Sequence, residues 1–279
     1  MTGMLYLCPT PIGNLNDMSN RVLETLREAD LIAAEDTRNS LKLMNAFDIH
    51  VPMTSYHEYN KVEKARTLID KMKEGANIAL ITDAGTPAIS DPGEVLVKMC
   101  YEEGIPVTSL PGPCACIVAL TLSGLSTRRF CFEGFLPSDK NERKEICEDL
   151  KDESRTMILY EAPHHLKETL KELENILGGE RNISVCRELT KKFEEVMRLT
   201  ISSAVKFYED NEPRGEYVLV IEGVSLKERK ENERKNWEEI SISEHMDIYL
   251  KDGIDKKEAM KLVARDRGIS KREVYNSLL

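Results

Sequence analysis

The chain has 279 residues, 41% of them hydrophobic and 32% charged, with a formal net charge of −10. That length suits two compact units, with one large domain as the alternative, and the composition argues against a disordered or low-complexity protein. No apolar run approaches the roughly 18 residues that a membrane helix needs, and "MTGMLYLCPTPIGN" lacks the pattern of a secretion signal, so a soluble, cytoplasmic protein with no membrane partner is expected. Seven cysteines without a CxxC pair argue against a disulfide framework or a zinc ribbon. Cys114 and Cys116 of "PGPCAC" are too close in the chain for a strain-free bridge, no histidine cluster lies nearby, and no metal is expected.

In chain order, the β-forming runs "MLYLC", "LIAAE", "NIALIT" and "IPVTSL" alternate with helical patterns such as 19–29 and 62–74. This alternation predicts a largely parallel sheet with helices on its faces, and ligands in such sheets bind at the carboxyl ends of the strands. Three loops rich in glycine and proline fall at those ends: 10–15, 82–93 and 111–115. From about 125 the texture changes. "FCFEGFLP", a charged helix at 139–151, "TMILYEA", a helix through 165–177, "NISVCREL", "EEVMRLTI" and "EYVLVIEG" predict a mixed sheet in a second α/β domain. The charged stretch 224–236 reads as a linker, and helical patterns at 238–251, 256–267 and 270–278, with Ser270 as a cap, form a small helical tail. Residues 256–272 hold seven basic and two acidic side chains in helix–turn–helix proportions, which suit either a phosphate backbone or a solvated packing face.

Within the loop "TDAGTPAISDPG", Asp91 followed by Pro92 and Glu94 reads as a helix N-cap, with proline in the first turn. Asp83 directly follows a strand and precedes Gly85, which suits either a ligand hydroxyl or amino group or an Asx-turn. The chain carries neither a dinucleotide glycine fingerprint, nor a P-loop, nor a G-x-S-x-G elbow.

Eight stretches in order narrow the reading. They are "LYLCPTPIGNLNDMSNRVLETLREADLIAAEDTR", "SYHEYN", "ALITDAGTPAISDPG", "PGPCACIVALTLSGL", "FCFEGFLP", "YEAPHHL", "CRELTKKFEE" and "GEYVLVIEG". Together, over residues 5–223, they resemble the bacterial ribosomal RNA small-subunit methyltransferases of the tetrapyrrole-methylase-like superfamily, which methylate a cytidine ribose 2′-hydroxyl. The tail resembles that family's C-terminal helix–turn–helix-like segment.

The resemblance implies two α/β domains of the tetrapyrrole-methylase type, 1–124 and 125–225, with a cofactor cleft between them, followed by a charged linker and helical domain at 226–279. It implies a homodimer that uses S-adenosylmethionine and acts on small-subunit ribosomal RNA or the assembled small subunit. The cofactor would be held by Pro11, by Thr82, Asp83, Ala84, Gly85, Thr86, Ile89 and Ser90, by Pro113, Cys114 and Ala115, and by Tyr160. RNA contacts would fall on Arg38, Arg187 and Lys191 and, in the tail, on Lys261, Arg265 and Lys271. Arg128, Arg129 and Lys140 would lie near the cleft. The chain departs from the family pattern twice: Cys114 stands where serine is common, and His165 where arginine is common. Methyl transfer to a ribose hydroxyl needs alignment and can use a general base. Glu35, Asp36, His57, Glu188 and Lys191 lie in the matched motifs and are candidates among which the sequence does not choose. A small-molecule methylase of the same fold and a non-catalytic cofactor- or RNA-binding module are the alternatives.

Overall fold

A computed structural model describes residues 2–225, 228, 229, 234, 237 and 239–278. Most of the expected linker, 224–236, lies outside the described residues. The first sheet contains β1 (Leu5–Leu7), β2 (Leu31–Ala34), β3 (Met53–Ser55), β4 (Ile78–Ile81) and β5 (Val107–Ser109). Its strands are all parallel, in the order β3-β2-β4-β1-β5. A parallel sheet must be covered on both faces, and the side-chain alternation of the strands serves both. Leu5, Leu7 and Leu80 pack with Leu68 and Met72 of α3 (Lys61–Lys73) and Leu96 of α4 (Glu94–Glu102). Ile32, Ala34, Ala79 and Ile81 pack on the other side with Val22 and Leu26 of α1 (Asn20–Glu28) and Met44 of α2 (Thr37–Ala46). Because every strand runs the same way, the loops after β1, β2, β4 and β5 gather along one edge.

The second sheet is mixed, as its closely spaced strands predict. It contains β6 (Phe130–Phe135), β7 (Thr156–Glu161), β8 (Asn182–Arg187), β9 (Glu195–Thr200) and β10 (Tyr217–Ile221), in the order β6-β7-β10-β8-β9. Only the β6–β7 pair is parallel. One face packs on α6 (Lys140–Asp149), α7 (Leu166–Leu177) and α8 (Ile201–Asp210) through Cys147, Leu170, Leu173 and Ala204. The other face receives α5 (Ala115–Ser123), whose Cys116, Ala119 and Leu120 meet Ile158, Val218 and Val220. The α5 helix therefore starts from a loop of the first sheet and buries its side chains on the second. Its far end is held by Arg198 of β9, whose Nη2 donates to the Leu122 carbonyl at 2.5 Å and whose Nε donates to that of Ser123 at 3.2 Å. A cation on the last carbonyls of a helix also complements its dipole.

The tail forms α9 (Ile242–Lys251), α10 (Lys256–Arg267) and α11 (Lys271–Ser277) around a core of Met246, Ala259, Val263 and Val274. Ser270 caps α11 as expected, in a reciprocal capping box with Glu273. Among the described residues, no helix is long and apolar enough to cross a membrane.

Candidate active site

A cavity of about 520 Å³ opens where the strand-end loops of the first sheet meet β7, β10 and the turn after β8. Its volume is in the range that holds a cofactor-sized ligand. The loops that form its wall are tied to one another. Thr10 and Gly85 exchange main-chain hydrogen bonds at 2.9 and 3.1 Å, and the Thr10 hydroxyl donates to the Thr82 carbonyl at 3.0 Å. Thr86 Oγ1 donates to the Pro113 carbonyl at 2.8 Å, joining the loop after β4 to the one after β5. Gly112 lets the latter run against Pro9, since a Cβ there would come within 2.5 Å of the Pro9 Cβ.

The segment 86–93 takes an unusual path. Ala88 and Ser90 are both in the left-handed region, at φ 66° and 65°, which side chains beyond glycine seldom adopt outside a constrained site. Helix α4 begins only at Glu94, after Gly93, and no side chain caps it. Asp91 is therefore not the N-cap that its Asp-Pro sequence suggests. The tight path of Ala88 to Ser90 delays the helix, and Asp91 lines the cavity instead. Burial pushes its carboxyl up to about 7, helped by the charges of Glu35 and Asp83.

Glu35 and Asp83 complete an acidic wall. Burial also raises the Glu35 carboxyl, against the lowering effect of the Asp83 main-chain hydrogen bond; the Asp83 charge adds to the rise and that of His57 opposes it. Asp83 is braced by the segment after β2: its Oδ1 accepts from the Asp36 main-chain N–H at 3.3 Å and its Oδ2 from Asn39 Nδ2 at 3.1 Å. Asp36 itself caps α2, accepting from the Arg38 N–H at 2.8 Å. Opposite, Lys191 is held by Glu188 at 2.9 Å and Glu216 at 2.7 Å. Burial pulls its ammonium down, but the hydrogen bonds to the two glutamates outweigh this and raise it. Among the described residues that line the cavity, Lys191 is the only lysine or arginine.

Of the expected cofactor set, Asp83, Ala84, Gly85, Thr86, Ile89, Ser90, Cys114, Ala115 and Tyr160 line the cavity. Pro11, Thr82 and Pro113 do not: Thr82 and Pro113 act behind the wall through their carbonyls, and Pro11 is half-buried beside the lining residue Ile12. The Tyr160 hydroxyl accepts from the Cys116 N–H at 3.2 Å, and the Tyr160 ring meets Phe132 and Phe135 edge-on.

Among the expected RNA residues, only Lys191 lines the cavity. Arg38 is exposed and pairs with Asp36 at 3.3 Å, and Arg187 pairs with Glu195 at 3.3 Å. Lys261 and Arg265 lie on α10 and Lys271 opens α11. Arg128, Arg129 and Lys140 are outside the lining as well. His57 also lies off the cavity, with its ring against Asn60 at 3.2 Å. The sequence reading missed Ile12, Phe135, Leu189, Glu216, Tyr217 and Val218 as lining residues. Val218 belongs to an apolar strand and reads as ordinary core, while a repeat of tight turns gives no local sign of which glutamate faces inward.

Residues 4–205 match the family described as Tetrapyrrole (Corrin/Porphyrin) Methylases. The chain is 48% identical over 274 residues to "Ribosomal RNA small subunit methyltransferase I" of Halalkalibacterium halodurans, covering 98% of this chain and 94% of that one. It is also 48% identical to the Bacillus subtilis protein of the same name over 275 residues, covering 99% and 94%. Among solved structures, diphthine synthase superposes with a TM-score of 0.61 at 14% identity, covering 82% of this chain and 94% of that one. A cobalt precorrin-4 methyltransferase superposes with a TM-score of 0.58 at 19% identity, covering 78% and 94%. At such identities the two structures show the shared fold alone.

Proposed function

The chain belongs to the tetrapyrrole methylase family and, within it, to the ribosomal RNA small subunit methyltransferase I group, and from that premise we propose that it methylates a cytidine ribose 2′-hydroxyl of small-subunit ribosomal RNA. The observation that carries this reading is the cavity itself, built at the strand ends from family motifs in a chain nearly half identical, end to end, to relatives bearing that name.

The site suits S-adenosylmethionine as methyl donor. Glu35, Asp83 and Asp91 form a carboxylate wall, with the apolar Ile12, Leu189 and Val218 elsewhere in the lining. Burial drives the Asp91 carboxyl upward and the charges of Glu35 and Asp83 add to the rise; a cationic sulfonium would relieve that second part. When bound, the donor supplies an electrophilic methyl group. The chain's residues would do the rest. The 83–91 loop and Cys114 to Ala115 hold the donor, Tyr160 packs beside it, and residues 1–124 and 125–225 supply the two sides of the cleft.

A ribose hydroxyl is a weak nucleophile, and a base near neutral pKa serves it best. Asp91 meets that requirement, because its carboxyl is poised at about 7 and faces the cavity. Glu188 does not, since its Oε1 is committed to Lys191 and to the Glu216 main-chain N–H at 3.1 Å. Lys191 keeps its charge and suits a phosphate of the acceptor strand. The near-complete coverage of rRNA-enzyme relatives favours RNA over a small acceptor. The test is transfer of a labelled methyl group to small ribosomal subunits, located by the alkali resistance that a 2′-O-methyl confers on its linkage. Label entering only small acceptors, or a base rather than a ribose, would contradict the proposal.

A further inference from the structure

Methyl transfer uses neither of two neighbouring thiols as a reacting group. Cys114 lines the cavity, and its Sγ is 3.3 Å from that of Cys116, two positions on at the start of α5. The two differ in setting. Cys114 is half-exposed at the N-cap of a nine-residue helix; no first-turn amide makes a full hydrogen bond to its sulfur, yet the Cys116 and Ile117 amides are close enough to favour the thiolate. Cys116 is buried, and its main-chain N–H is fixed to the Tyr160 hydroxyl.

The Cys116 thiol, as a hydrogen-bond donor to Cys114, is the largest influence that lowers the Cys114 pKa, against burial, and the same contact raises that of Cys116. Other thiols move only upward: burial lifts Cys8 to about 12 and Cys100 and Cys147 to about 11. One sulfur is thus half-exposed and favoured as the thiolate, and the second is protected and within reach of it.

We propose that Cys114 and Cys116 form a peroxide-reactive dithiol in the wall of the cavity, and that bridging them withdraws part of the methyl-donor site. The Cys114 thiolate attacks one oxygen of a hydroperoxide. An S–O bond forms as the O–O bond breaks, and the departing oxygen takes a proton and leaves as water or an alcohol, so Cys114 becomes a sulfenic acid. Cys116 then gives up its proton and attacks that sulfur. The S–S bond forms, the S–O bond breaks, and the oxygen leaves as water. Overall the two thiols lose two electrons and two protons, and the peroxide gains them.

The geometry needs only a local change. A disulfide requires sulfurs about 2 Å apart, so the pair must close from 3.3 Å. Cys116 is held by the packing of α5, so Cys114 is the side chain that turns, away from the position in which it lines the cavity. A bridge over a single intervening residue is strained, which makes it easy to reduce again and therefore reversible. Serine, common at position 114 in the family that the sequence resembles, would lack this chemistry.

The effect on donor binding rests on the proposed function; the bridging does not. The full-length protein would be treated with one equivalent of hydrogen peroxide and mapped by mass under non-reducing conditions, with cleavage at Tyr101 to separate Cys100 from the pair. The expected product lacks two hydrogens in the peptide carrying Cys114 and Cys116, binds S-adenosylmethionine about tenfold more weakly by calorimetry, and recovers with dithiothreitol. Cys116→Ser should stop at a sulfenic acid on Cys114 that dimedone traps, and Cys114→Ser should form neither product. Oxidation of the buried cysteines ahead of this pair, or a bridged protein that binds the donor as tightly as the reduced one, would overturn the proposal. If the reduced protein fails to bind the donor, the functional reading falls, while the mass map still decides the thiol chemistry.

Discussion

The Thr86 hydroxyl reaches the Pro113 carbonyl at 2.8 Å, and this bond fixes the spacing of the two loops against which a methyl donor would lie. Thr86→Val keeps the side chain's shape and removes the hydroxyl, leaving the Pro113 carbonyl behind the cavity wall without that partner. A net hydrogen bond of about 1 kcal/mol corresponds to a loss of about fivefold in donor affinity. Titration calorimetry should show that loss, and Thr86→Ser should recover most of it.

Asp91 sets a pH dependence on catalysis. Its ligand-free value is about 7 and the donor's cation lowers it, so single-turnover methyl transfer should rise with pH on the acid side and level off by about pH 7. Asp91→Asn should lower the rate by about a hundredfold or more and flatten the rising limb, with donor affinity changed much less. A variant with the wild-type pH profile would remove Asp91 from the proton-transfer role.

The same carboxyl affects stability with the opposite trend. Its value is near 3.8 in an unfolded chain and about 7 in the folded protein, so between those limits the folded state holds a proton that the unfolded state has released. The stabilising protonated form is fully favoured below the unfolded value, and that advantage is lost as pH rises through the folded one. The ligand-free protein should therefore melt at progressively lower temperature from about pH 4 to pH 7 through this group. Asp91→Asn should reduce that slope in calorimetric scans.

Gly112 gives a purely steric test. A Cβ at this position would lie 2.5 Å from the Pro9 Cβ and 2.9 Å from its Cγ, both in a rigid ring. Gly112→Ala should cost about 1–3 kcal/mol, as overpacking does, and should lower the melting temperature as well as donor affinity, since both loops would have to part.

The tail offers a test of phosphate contact. Lys261 and Arg265 are exposed on α10, and replacing them leaves the Met246 and Val263 core intact. If both touch phosphates, the double alanine variant should reduce the log–log salt slope of RNA binding by about 2. An unchanged slope in filter binding would assign the tail to packing alone.

Much of this architecture can be read from period and punctuation. The four apolar runs of the first half and the five strands of the second emerge from the residues themselves. The three-residue β3 and helix α8 do not, because one is too short to show a period and the other follows a strand without a break. Within the site, Asp83 and Gly85 stand out by their place after β4. Asp91 misleads, because Ser-Asp-Pro-Gly is a good local helix start. The outcome is decided instead by the fold of the loop on itself and on its neighbour: a β-carbon on Gly93 would strike Ala88, and one on Gly134 of the distant β6 would come within 3.3 Å of the Ser90 hydroxyl. Cavity residues on β10 are hidden for the reverse reason, since one apolar strand supplies both core and wall.

Helix α5 runs from Cys114 at the cavity to the Leu122 and Ser123 carbonyls, which Arg198 of the edge strand β9 grips. A nine-residue helix barely compresses, so it acts as a strut: a displacement at its Arg198 end is delivered at its Cys114 end with little loss. Were a ligand on β9 to shift that end, it would change affinity for the molecule in the cavity, and by linkage the donor would alter affinity for that ligand by the same factor.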